Sequence, residues 1–157
     1  MATHRYFNTA QGRKLAYHQS EGVGPTIVFL SGFKSDMQGT KAVHLEAWAR
    51  GNGRSFLRFD YSGHGQSSGA FTDGCIGDWA EDAAAAVRHL VNGPVILVGS
   101  SMGGWIALLL AQRLEQAKVA GMVTIAAAPD FTEDSMWTGF DDAQRSDLQL
   151  LGQVVLP

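Results

Sequence analysis

Val98-Gly99-Ser100-Ser101-Met102-Gly103-Gly104-Trp105 joins two apolar segments of different character. The segment before it, residues 94–98 (PVILV), is short and β-branched, and so reads as a buried strand. The segment after it, residues 105–111 (WIALLLA), reads as a buried helix. Between them lies G-x-S-x-G, with Gly99, Ser101 and Gly103 in the fixed positions. A sharp strand-to-helix turn here lifts the Ser101 hydroxyl above a sheet, and a Cβ at either flank would collide with the turn. Ser101 is therefore the candidate nucleophile.

Working outward, residues 5–8 and 14–18 flank a polar turn and read as a hairpin. Residues 26–30 (TIVFL) form a continuous apolar run, as expected of a strand buried on both faces of a parallel sheet. A polar, glycine-bearing loop follows at 31–39, and then Ala42, Leu45, Trp48 and Ala49 recur at helical spacing. Residues 55–59 (SFLRF) read as a strand running into a loop at 60–69. Asp78-Trp79-Ala80-Glu81 resembles a capping box, behind which Trp79, Ala83, Ala86, Val87 and Leu90 share one helix face. Residues 119–125 (VAGMVTI) read as a further strand, and 141–151 as a helix with a polar face. Short apolar strands alternating with helices define an α/β chain with a mostly parallel twisted sheet and helices on both faces. In such sheets the site lies at the carboxyl ends of the strands. The loops after Leu30, Phe59 and Val98 are all expected to open there.

Composition narrows the function classes. The 157 residues suffice for one domain with a sizeable core. A net charge of -3 gives no electrostatic reason to expect nucleic acid or an anionic membrane as partner. No apolar stretch approaches the ~20 residues of a membrane span, and the first seven residues hold no secretory h-region. Cys75 is the single cysteine, so neither an internal disulfide nor a cysteine-based zinc cluster is available. A cytoplasmic setting is the expectation. No nucleotide-binding glycine loop occurs, and no cofactor or metal is expected. Asp60 is read as a carboxylate that organises its loop by accepting N–H groups from the Gly63–Gly65 turn, and His64 as an exposed loop histidine.

A serine hydroxyl needs a base to become nucleophilic. The turn adds an oxyanion donor, the backbone N–H of Met102 at the helix start, where the helix dipole helps. The second donor is assigned to the Phe33 N–H, on the loop whose Gly32 permits close approach. Lys34 and Lys41 beside that loop are solvated lysines or attract an anionic substrate group. Met136, Trp137 and Phe140 are expected either to touch the acyl group or to pack within a lid.

Three stretches carry a resemblance to the α/β-hydrolases: residues 31–37 (SGFKSDM) with Gly39 and Lys41, residues 58–63 (RFDYSG) with Gly65 and Ser67, and residues 99–105 (GSSMGGW). Within that family the chain looks like the acyl-protein thioesterases and acyl-glucuronide esterases of mitochondria and their bacterial relatives. The resemblance implies nucleophile Ser101, oxyanion donors Phe33 and Met102, and hydrolysis of a small-molecule carboxylic ester or thioester through an acyl-enzyme. Two other functions remain open: an acyltransferase using the same acyl-enzyme, and a catalytically inactive interaction module.

In this fold the chain order is serine, acid, histidine. Yet His4, His18, His44, His64 and His89 all precede Ser101. Carboxylates do follow it, and Asp130, at the end of the strand after the turn, is either the acid or a solvated loop carboxylate or helix cap. The chain is therefore expected to be the N-terminal part of a hydrolase. Residues 1–130 would form strands one to six of the core, and 131–157 the start of a lid segment. The remaining strands and the base would come from a C-terminal segment or a second chain. Until that segment pairs with it, the strand at 119–125 is expected to be an apolar sheet edge.

Overall fold

The computed structural model describes residues 4–156. The reading of the chain start for a signal rests partly on Met1–Thr3, which lie outside the described residues, as does Pro157 at the end of the expected lid segment. The expected hairpin is present as β1 (Arg5–Asn8) and β2 (Lys14–Ser20), antiparallel with Phe7 opposite Leu15. Next come β3 (Val23–Leu30), α1 (Thr40–Gly51), β4 (Arg54–Phe59), α2 (Ile76–Leu90), β5 (Val95–Ser100), α3 (Met102–Arg113), β6 (Val119–Ile125) and α4 (Asp142–Leu151).

The six strands lie in the order β1-β2-β4-β3-β5-β6, with β4, β3, β5 and β6 mutually parallel. Alternation along each strand feeds two apolar layers. Phe29, Phe56 and Val98 point to the side of Ala42 and Ala49 on α1. Val28, Leu30, Leu57, Phe59 and Leu97 point to the other side, where α2 and α3 contribute Trp79, Ala83, Val87, Ile106 and Leu110. Helices thus cover both faces, as expected. At one end of the sheet, β6 has no fully buried side chain, and Val123 is 51% exposed. Among the described residues its outer edge carries no strand.

Two local expectations need correction. Helical spacing groups Trp48 with the apolar face of α1, but it is 53% exposed, whereas Glu46 is buried. Counting about 100° per residue, Trp48 lies about 120° around the helix from Ala42, and Glu46 only about 40°. Glu46 is tolerated inside because the Arg58 Nε donates to it at 2.8 Å, with His18 Nδ1 2.6 Å from its other oxygen. The second correction concerns the start of α2, one turn earlier than the capping-box reading placed it. Cys75 is the N-cap, and Asp78 reaches back to accept the Cys75 N–H at 3.2 Å. Asp78 thus sits in the first turn, where the helix dipole favours a carboxylate.

Candidate active site

The parallel order β4-β3-β5 brings the carboxyl ends of three strands, and the loops that follow them, to one edge of the sheet. Ser101 stands there between β5 and α3, exposed, with φ 55° and ψ −120°. Positive φ in a non-glycine residue is strained and persists only when the surroundings impose it. The end of β6 helps to impose it here. The Ser101 N–H donates to the Ile125 carbonyl at 2.9 Å, while the Ser101 carbonyl accepts from Gly104 N–H at 2.9 Å and Ala128 N–H at 3.2 Å. Both flanking glycines have a steric reason. A Cβ on Gly99 would fall on the Gly103 carbonyl, and one on Gly103 would fall on the Leu30 carbonyl.

Met102 begins α3 and is fully buried, and the Ser101 side chain caps none of the first-turn N–H groups. The loop bearing Phe33 lies against this turn. A Cβ built on Gly32 would stand 3.4 Å from both Ser101 Cβ and the Ser100 carbonyl oxygen. The loop is held by Ser35 N–H donating to the Gly32 carbonyl at 3.1 Å and by Tyr61 OH donating to the Ser31 carbonyl at 3.2 Å. The Phe33 ring is packed edge-to-face against Phe71, Phe131 and Trp79, with centroids 5.1, 5.4 and 6.3 Å away. Lys34 follows in the left-handed region at φ 55°, its ammonium 5.1 Å from the centre of the Phe71 ring.

Two buried carboxylates fix these loops. Asp60 does organise its surroundings, but through partners other than the expected turn. It accepts Met37 N–H at 2.6 Å and Gln66 N–H at 2.9 Å, tying the loop after β4 to the loop after β3. Gly65 matters here by leaving room, because a Cβ there would fall on the Asp60 carboxylate. Burial pushes the Asp60 carboxyl above its ordinary pKa, against the pull of those two N–H donors. Asp82, on α2 and fully buried, accepts Ser62 N–H at 2.9 Å, Ser62 Oγ–H at 2.6 Å and Arg13 Nε–H at 2.6 Å. Partial burial lowers the Arg13 pKa, yet its hydrogen bonds and charge pairing with Glu81 and Asp82 outweigh this and hold it above the usual value.

His64 is not the exposed residue expected from sequence. It is 5% exposed, its Nδ1 lies 3.1 Å from the Ser62 carbonyl, and its ring stands edge-to-face with Tyr61, Phe71 and Trp79. A carbonyl only accepts, so Nδ1 carries the proton. Asp130 follows β6 at φ 52°, exposed, and its carbonyl accepts the N–H groups of Glu133 and Asp134 at the start of a π-helical turn, Thr132–Trp137. Among the described residues no group of three or more His, Cys, Asp or Glu could hold a metal ion.

An apolar cavity of about 380 Å³ opens beside Phe33 and Met102, with Phe71, Ile76, Trp79 and Phe131 among its walls. A polar one of about 320 Å³, which Phe71 also borders, is lined by Lys34, Ser35, Asp36 and His64. Lys41 borders a third, of about 220 Å³, with Ser31, Ser35 and Ser100. Trp137 belongs to packing rather than to these cavities, since Arg145 lies over its ring at 5.7 Å and donates to its carbonyl at 3.2 Å. From the segment after β6, Phe131 and Thr132 line the apolar cavity. Sequence reasoning missed Phe71 and Phe131 as site residues. Their only signal is an aromatic directly after a glycine- or aspartate-bearing turn at the correct sheet edge.

Comparison with known proteins adds that the family model described as "alpha/beta hydrolase fold" matches residues 25–156. The chain belongs to the α/β-hydrolase family. The chain is 41% identical over 116 residues to the palmitoyl-protein thioesterase ABHD10, mitochondrial, of Rattus norvegicus, covering 74% of the chain and 39% of the relative. It is similar to the crystal structure of a putative hydrolase from Agrobacterium vitis, with 40% identity and TM-score 0.87 over 96% of this chain and 62% of that one. Mouse alpha/beta hydrolase domain-containing protein 10 gives 34% identity and TM-score 0.89, over 99% and 62%. The chain therefore spans about two fifths of the length of the curated ABHD10 relatives it matches. Those relatives are mitochondrial, which overturns the expectation of a cytoplasmic setting. A single cysteine reports the lack of an internal disulfide; it carries no information on the compartment.

Proposed function

We propose that the protein is a serine hydrolase that cleaves a carboxylic ester or thioester through an acyl-enzyme on Ser101. One observation carries the reading: an exposed Ser101 at φ 55°, with the Gly32-Phe33 loop packed against it. Ser101 Oγ attacks the acyl carbon while its proton passes to a base. The N–H groups of Phe33 and Met102 hold the developing oxyanion, each donor contributing ~2.7–4 kcal/mol to the transition state. The leaving alcohol or thiol takes the proton, and water then releases the acid by the same steps. The relatives named as palmitoyl-protein thioesterases support the thioester side of this reading.

In this proposal residues 1–130 form the first part of the hydrolase core and 131–157 begin a lid. A further segment, or a second chain, pairs with the free edge of β6 and brings the histidine base. Asp130 is the acid candidate on position alone.

Ser101→Ala in the full-length protein is expected to lower kcat on an acyl thioester at least ~10³-fold with an unchanged circular dichroism spectrum. Retained turnover would contradict the proposal. Gly32→Ala should be tolerated by the fold, since its new methyl meets neighbours at ordinary contact distance. That methyl stands beside Ser101, where the acyl group must enter, so kcat/KM should fall on the order of 10-fold or more, measurable by steady-state kinetics.

A further inference from the structure

The cavity of about 220 Å³ bordered by Lys41 lies on the α1 side of the sheet, where the carboxyl ends of β3 and β5 face the first turn of α1. Helix α1 begins behind Gly39, which has no side chain to cap it, and no acidic residue stands in its first turn. Among the described residues no acceptor meets the N–H groups of Thr40, Lys41 and Ala42, although Ala42 is fully buried. Buried N–H groups are ordinarily paired. The sheet supplies an independent donor opposite this turn. Ser100 follows Val98 by two residues and so shares the face that Val98 turns towards α1. Ser100 borders the cavity and is 9% exposed, and its hydroxyl has no hydrogen-bond partner among the described residues. Ser35 and Thr40 add hydroxyls, and Lys41 adds an ammonium that pairs with no carboxylate among the described residues. Asp36 also borders the cavity, its carboxylate accepting Gln38 N–H at 2.8 Å.

We propose that this cavity binds a phosphate group, held by the first-turn N–H groups of α1, the hydroxyls of Ser35, Thr40 and Ser100, and the Lys41 ammonium. An uncapped helix start offers an anion both free N–H groups and the positive end of the helix dipole. The Ser100 hydroxyl meets the same anion from the sheet side, and Lys41 makes its hydrogen bond charge-assisted. Three N–H groups, three hydroxyls and an ammonium are more donors than the two oxygens of a carboxylate can use. They suit the oxygens of a phosphate. The Asp36 carboxylate opposes a bare dianion but accepts the proton of a singly protonated phosphate, a proton that sulfate lacks. Thr40 and Lys41 are exposed, so the cavity opens to solvent beside them, with room for a free phosphate or for a phosphate monoester whose substituent leads outward. The proposal does not depend on Ser101 as a nucleophile.

The test is titration calorimetry at fixed ionic strength with inorganic phosphate, ethyl phosphate and sulfate, on full-length protein carrying Ser101→Ala. With the serine removed, the result is independent of the hydrolase reading. Phosphate should bind saturably in the millimolar range or tighter, and sulfate more weakly. Lys41→Met should weaken phosphate binding at least ~10-fold, and Ser100→Ala about 5-fold. Gly39→Asp gives α1 a carboxylate that accepts its own first-turn N–H groups, and should abolish phosphate binding without lowering Tm. Lys34→Met is the control, because that ammonium lies over Phe71 and outside this cavity. It should leave binding unchanged, and a loss equal to that of Lys41→Met would reveal diffuse surface attraction and overturn the proposal. No saturable phosphate binding, or sulfate bound as tightly as phosphate, would equally overturn it. Either preference between the two phosphates upholds the site: tighter ethyl phosphate points to a phosphorylated small molecule, tighter inorganic phosphate to the free ion.

Discussion

Gly103→Ala is expected to leave little folded protein. The new Cβ would fall on the Leu30 carbonyl and stand 2.7 Å from the Ser31 carbonyl oxygen. These are backbone atoms of β3 and of the loop that carries Phe33, so no side chain can swing aside. Overpacking that side chains absorb costs about 1–3 kcal/mol, and a collision between rigid backbones should exceed the top of that range. A loss of more than ~3 kcal/mol is a large part of the 5–15 kcal/mol that holds a typical domain together. Gly139→Ala is the control, because its Cβ would meet nothing within 4 Å. Urea denaturation should show the control within about 0.5 kcal/mol of the parent. Equal midpoints for the two variants would mean that the turn is not packed as described.

The second large effect is expected at Asp82. Its carboxylate is fully buried and takes three hydrogen bonds, from Ser62 N–H, Ser62 Oγ–H and Arg13 Nε–H. Asp82→Ala would strand two donors on the loop after β4 and leave the Arg13 guanidinium, only 22% exposed, without its shortest partner. Removing one member of a buried pair costs about 3–5 kcal/mol. Glu81, still 2.9 Å from Arg13, should keep the loss near the lower end. Ser62 also accepts the Trp79 indole N–H at 3.1 Å, so the loss should reach the wall of the apolar cavity. Chemical denaturation gives the stability change, and the near-ultraviolet spectrum of the tryptophans should report loosened packing around Trp79. Asp82→Asn keeps the shape and one acceptor, and should lose less.

Much of the frame was legible because apolar runs and glycines carry local reasons. Residues 26–30 and 94–98 are apolar on both faces, which only a central parallel strand with helices on either side can bury. The glycines around Ser101 announce a turn too tight for a Cβ, and each one meets backbone in the structure. What the sequence could not convey were pairings between distant residues. Glu46 looks like a solvated helix residue until β4 brings Arg58 beneath it. Asp60 and Met37 lie in separate loops, and only the order β4-β3 makes them neighbours. His64 reads as exposed because its glycine-rich surroundings suggest an open loop, whereas Tyr61 of the same loop, Phe71, and Trp79 of α2 close over it with their rings. Trp48 failed for a local reason, since its spacing from Ala42 is six residues rather than three, four or seven.

The phosphonylation of Ser101 is the most direct measurement. Full-length protein treated with an excess of a fluorophosphonate should gain the mass of a single adduct, and peptide mapping should place it on Ser101. The reaction should vanish in Ser101→Ala and slow in Gly32→Ala. No adduct, or one on another residue, would contradict a serine nucleophile at this turn and favour an α/β-hydrolase fold retained as an inactive interaction module.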